Sequence, residues 1–134
     1  MHMFSLFPEL FFLTPLAVTL LRIVTGSFFV YAAIHFVIFR SDLTRDRFPF
    51  IGMGRTWMAW LGACACSATG VLLIIGLWTQ AAAIIGALIA LKHLVLSHWA
   101  KHLPLSREVS ILLFVICLSL FVTGAGAFGF DLPL

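Results

Sequence analysis

The stretch at residues 16–39, LAVTLLRIVTGSFFVYAAIHFVIF, contains one arginine, one histidine and no carboxylate. At about 1.5 Å per residue it is long enough to cross the roughly 30 Å hydrocarbon core of a bilayer as a helix. Further apolar runs follow at 57–77, 81–96 and 109–123. The chain is 63% hydrophobic and 10% charged over 134 residues, where soluble domains hold about 25% charged residues. One core of this size cannot hide so much apolar surface, so the excess faces lipid. The sequence reads as one all-α domain over residues 1–134. It is an integral membrane four-helix bundle with both termini on the same side.

Local signals refine the spans. Thr14 is placed to cap the first helix, with Pro15 at the first helical position, where a missing N–H costs nothing. The third and fourth spans are short for a full crossing. WTQ at 78–80 is a tight turn that makes the second and third spans an antiparallel hairpin. The loop RSDLTRDRFPFIGMGRT at 40–56 is charged and broken by Pro49, Gly52 and Gly54. It reads as an interfacial loop, with Phe48, Phe50 and Ile51 dipping into the headgroups. SHWAKHLPLSRE at 97–108 is a polar connection. MHMFSLFPELFFL lacks a basic leader region and a small-residue cleavage site, unlike a signal peptide.

Charge orients the chain. Net charge is +3, and the two long loops hold Arg40, Arg45, Arg47, Arg55, Lys101 and Arg107. The terminal segments and the WTQ turn hold no Lys or Arg. The positive-inside rule puts both long loops in the cytoplasm and both termini outside the cell membrane. The arginines of the first loop suit anionic lipid rather than nucleic acid.

Helices in lipid associate through close van der Waals contact, which small residues permit. Ala59, Gly62 or Ala63, Cys66 and Gly70 make one stripe. Ala83, Gly86 or Ala87, and Ala90 make another, and the two are expected to meet across the hairpin. Cys64, Cys66 and Cys117 lie in apolar runs and read as packing thiols, since CxC is not a redox spacing.

Ionisable groups inside a membrane are costly and face the bundle interior or snorkel. Arg22 either reaches the outer headgroups or pairs within the bundle. Lys92 snorkels to the cytoplasmic interface. His93 follows Gly86 and Ala90 on the small face, so it points inward and bonds a carbonyl. His35 aligns with Tyr31 as an interfacial pair. His98 and His102 have an i, i+4 ligand spacing without a third ligand in pattern, so no metal site is expected. At the C-terminus, TGAGAFGFDLPL frees the backbone at Gly124, Gly126 and Gly129 to turn back over the bundle. Asp131 then lies above the first helix, within reach of Arg22 as its counter-ion.

Three stretches resemble the DoxX family of small four-helix membrane proteins: LRIVTGSFFVYAA, TGVLLIIGLWTQAAAIIGALIAL and TGAGAFGFDLPL. The most specific positions are Gly70 with Gly76, and Gly124, Gly126 and Asp131; Arg22, Gly26 and Phe29 fit the family's first helix. The chain departs from the family pattern at Cys66, where many members carry an acid. It departs again at Ala33 and His35, near where they tend to have glycine and lysine. The resemblance implies a membrane subunit or accessory of a quinone-linked oxidoreductase system. Quinone is then the possible cofactor, lipids and an oxidoreductase subunit are the partners, and Arg22 and His93 are the groups near the headgroup. The alternative is a non-catalytic membrane scaffold or lipid-binding protein whose basic loop recruits a cytoplasmic partner.

Overall fold

The computed structural model describes residues 13–45, 47–48, 52–53, 56–99 and 103–124, with backbone alone at 47–48 and 52–53. The order is α1 (Thr14–Ile38), α2 (Arg40–Leu43), β1 (Arg47–Phe48), β2 (Gly52–Met53), α3 (Thr56–Ile75), α4 (Thr79–Leu96) and α5 (Arg107–Thr123). The regular elements among the described residues are helices apart from the two-residue strands, which pair antiparallel, Arg47 with Met53 and Phe48 with Gly52. The first loop is thus partly ordered as a short helix and a hairpin, where the sequence suggested an irregular segment.

Three helices, α1, α3 and α4, are long and apolar enough to cross a membrane. The 17 residues of α5 extend about 26 Å, just short of the hydrocarbon core. Large apolar side chains cover the outside, among them Leu20, Ile34, Leu61, Leu88 and Val122. The four tryptophans, Trp57, Trp60, Trp78 and Trp99, are all at least half exposed and lie at or near helix ends. That is where an aromatic belt meets the bilayer surface. Hydroxyls inside the spans bond back to their own helices: Thr25 to Leu21 O at 2.7 Å, Thr69 to Ala65 O at 2.8 Å.

Buried positions repeat every three or four residues. On α1 they are Arg22, Thr25, Gly26, Phe29, Ala32, Ala33 and Phe36. On α3 they are Ala59, Gly62, Ala63, Cys66, Thr69, Gly70 and Leu73. That spacing gives each helix one inward face. α1 packs principally on α3 and α4 on α5, with smaller contacts between α3 and α4 and between α1 and α5.

The small stripes do pack inward, but they do not mainly meet each other. A methyl group added to Gly26 would lie 2.8 Å from Gly70 O, and one added to Gly70 would lie 2.8 Å from Gly26 O. The α1 and α3 backbones therefore touch, and α3 spends its glycines on α1. Gly86 on α4 instead receives the Phe29 ring and Cys117 Sγ, at 3.2 and 3.0 Å from its would-be methyl. The hairpin connection tethers α3 and α4 in sequence, but glycine against glycine brings α1 closer.

Two boundaries differ from expectation. Thr14 is already helical and Leu13 occupies the cap position without a side-chain bond, so Thr14 is not the N-cap. The α3–α4 turn is centred on 76–78 rather than on WTQ. Gly76 (φ +80°) and Trp78 (φ 49°) both adopt positive φ, and Leu77 N–H bonds back to Leu72 O at 3.2 Å. Gly76 ends α3 as helix-terminating glycines do. Thr79 then starts α4 two residues before the expected boundary.

Candidate functional site

The α1–α3 pair carries a polar group at each end. Arg22 lies on α1 and is 2% exposed. Its guanidinium sits over Gly76: a methyl group there would lie 2.7 Å from Cζ and Nη1 and 2.9 Å from Nη2. A side chain at this place would have to displace the guanidinium, and the same glycine supplies the positive φ that ends α3. The last carbonyls of a helix have no intrahelical partner and carry the negative end of its dipole, which suits a cation. Arg22 is therefore an interior residue and not a snorkelling one.

At the other end His93 is fully buried on α4. Its Nδ1 lies 2.9 Å from Ile89 O. A carbonyl can only accept, so Nδ1 carries the proton and the neutral ring presents Nε2 as a bare acceptor. Nε2 is buried and has no hydrogen-bond partner among the described residues. The expected carbonyl bond is present, but it satisfies one nitrogen and leaves the other, at a cost of about 1–3 kcal/mol. Phe36 covers the ring, with centroids 5.5 Å apart and planes tilted by 36°. Phe36 in turn lies on Gly62, whose added methyl would meet the ring at 3.3–3.4 Å.

On the outer side of Phe36 runs a cleft between α1 and α3, lined by Phe36, Val37, Arg40, Ala59 and Trp60, too narrow for a water molecule. Trp60 is half exposed, so the cleft opens toward lipid.

Arg22 and His93 do not share a site. Phe29 meets Gly86 and Phe36 meets His93, so α1 and α4 run parallel and His93 lies level with Phe36. From Arg22 to Phe36 is 14 residues of α1, about 21 Å. The packed layer around Phe29, Gly86 and Cys117 lies between.

The other candidates separate as follows. Gly26 and Gly70 form the helix crossing and Gly76 the Arg22 seat. Gly124 caps α5 with φ +74°, and a methyl group there would meet none of the described residues. Gly126 and Asp131 lie outside the described residues, so the Arg22–Asp131 pair does too. The Tyr31 and His35 rings lie 6.3 Å apart, and His35 stacks more closely on Phe39, at 4.3 Å. Lys92 is exposed on α4, His98 packs edge-on to Trp99, and His102 is outside the described residues. Cys66 and Cys117 are buried free thiols, and Cys64 is a free thiol on the exposed face of α3. Among the described residues no three His, Cys, Asp or Glu side chains gather as metal ligands.

Sequence reasoning missed Phe36 and Gly62 as the cover and floor beside His93. Their only signal is a pairing between distant helices. It also missed that Gly76 seats a cation, although the glycine itself stood out.

Residues 17–99, which hold both polar ends and the glycine crossing between them, match the family model for DoxX. No curated protein and no solved structure matches the chain. The match covers well over half of the sequence: this chain is a membrane protein of the DoxX family.

Proposed function

We propose that the chain is a membrane-embedded subunit or accessory of a quinone-linked oxidoreductase system. In this reading α1, α3, α4 and α5 all cross the cell membrane as a four-helix bundle. The 40–56 and 97–108 connections are cytoplasmic and both termini are outside. The orientation is supported by the placement of Lys and Arg, and impermeant labelling of a single cysteine introduced at Asp46 tests it: reaction in intact cells reverses the assignment.

The observation that supports the functional reading is the buried Arg22 guanidinium at the end of α3. A quinone, when bound, accepts electrons and protons and presents carbonyl oxygens to the protein. Arg22 offers only donors and keeps its charge, so it suits a carbonyl acceptor. Gly76 and the α3 terminus hold the guanidinium in place, which keeps the donors oriented before a ligand arrives. Apolar helix surfaces on either side exclude water from such a contact. Asp131 would serve as the counter-ion of Arg22 and close that mouth; non-additive stability in a cycle of Arg22→Gln and Asp131→Asn tests the pairing.

The deciding experiment is purification of the full chain in mild detergent, with extraction of bound quinone and a redox difference spectrum. The reading expects quinone above the level carried by lipid alone and a loss of it in Arg22→Gln. Equal, background-level quinone in both proteins favours a non-catalytic scaffold or lipid-binding role.

A further inference from the structure

The geometry points to a second site, at the opposite end of the α1–α3 pair: His93 Nε2 is the hydrogen-bond acceptor for a lipophilic phenol that enters from the bilayer past Phe36. Three observations converge on it, none of which involves Arg22. His93 is fully buried and its Nε2 has no partner among the described residues. The bond from Nδ1 to Ile89 O fixes the tautomer, so Nε2 can accept and cannot donate. The ring that covers His93 also lines a cleft open to lipid, with Trp60 and Val37 at its rim.

These features define the ligand's chemistry. The partner must bring a hydroxyl donor, because only a donor satisfies Nε2. It must be otherwise largely apolar, because Phe36, Val37, Ala59 and Trp60 line the cleft, with the exposed Arg40 as the one charged side chain beside them. An aromatic hydroxyl fits best, since a flat ring can slide between Phe36 and Trp60 and stack on either. The cleft is closed to water as it stands, so entry requires Phe36 to swing off Gly62.

Two probes isolate the hydroxyl. 4-Hexylphenol carries the donor, and 4-hexylanisole has the same shape with the donor methylated. Binding of each to the full chain in lipid nanodiscs is measured by equilibrium dialysis against empty discs, which removes simple partition. The side-chain ¹⁵N resonance of His93 Nε2 is followed in parallel. The phenol should bind about tenfold more tightly than the anisole and shift the Nε2 resonance upfield, as a new bond to a buried acceptor does. In His93→Leu the two probes should bind alike. The proposal fails if the wild-type protein does not distinguish the probes, or if the preference survives in His93→Leu. Should His93→Leu not fold, the wild-type resonance decides: an unmoved Nε2 signal at saturating phenol overturns the site.

Discussion

The two ends of the α1–α3 pair solve the same problem differently. Each buries a nitrogen-bearing side chain in a membrane protein, and each uses a glycine to make room. At the Arg22 end the glycine is also a helix terminus, where the backbone itself has carbonyls to spare. At the His93 end the side chain lies in the last turn of α4 and turns back onto a carbonyl one turn earlier, where the backbone is already engaged. His93 shares that carbonyl, Ile89 O, and its second nitrogen finds nothing among the described residues.

The comparison is broken most severely at Gly76. A valine there meets the guanidinium below 3 Å and must adopt φ near +80°, a conformation that costs a β-branched residue dearly. Gly76→Val should lower stability by about 3 kcal/mol or more. The expected sign is loss of the monodisperse peak in detergent size-exclusion, or a large drop in apparent Tm. A wild-type-like Tm would mean that the glycine is not the seat of Arg22.

Arg22→Met keeps most of the apolar stem and removes the cation from the end of α3. Without it the negative end of the α3 dipole loses the buried cation seated over Gly76, at about 2 kcal/mol. Thermal unfolding followed by tryptophan fluorescence should show a clear decrease, smaller than for Gly76→Val. An unchanged Tm would place the α3 terminus among helix ends that need no cation.

How far the sequence foretold this comparison follows from what repeats and what does not. The spans, the inward faces and the small residues on them were legible, because burial recurs every three to four residues and lipid exposes the rest. The first loop was less legible, since a two-residue ladder and a one-turn helix leave no periodic signal. Pairing was the least legible. Gly62 and Gly70 lie on a stripe that any neighbour could fill, and nothing local says that α1 fills it instead of α4. For the same reason Arg22 and His93 looked like members of one site. Only the parallel run of α1 and α4 shows that about 21 Å of helix separates them. Asp131, the residue that gave Arg22 a counter-ion in the sequence reading, falls outside the described residues.

At the His93 end, Gly62→Ala tests how tightly Phe36 is held. The added methyl would meet the ring at 3.3–3.4 Å, close enough to tilt it by a few tenths of an ångström. Set against alanine's better helix propensity, the net loss should be about 0.5–1 kcal/mol. A stabilised Gly62→Ala would show that the ring shifts freely, which would also ease entry past it.

The smallest effect belongs to the residue that looks most important. His93→Leu replaces a ring of similar size by an apolar side chain and removes an acceptor that has no partner. It also removes the Nδ1–H bond, yet Ile89 O remains in the α4 helix and can keep its backbone bond to residue 93. Loss of one satisfied bond and relief of one unsatisfied atom nearly cancel, so apparent stability should stay within about 0.5 kcal/mol of wild type or rise. This sets His93 apart from Arg22, whose removal destabilises. A buried group that stability does not require is one that a ligand can use, because the cost of the bare nitrogen is recovered only when a donor arrives. A fall of several degrees in the Tm of His93→Leu, with phenol absent, would show instead that the imidazole holds the bundle together. The two ends of the α1–α3 pair would then be alike in kind.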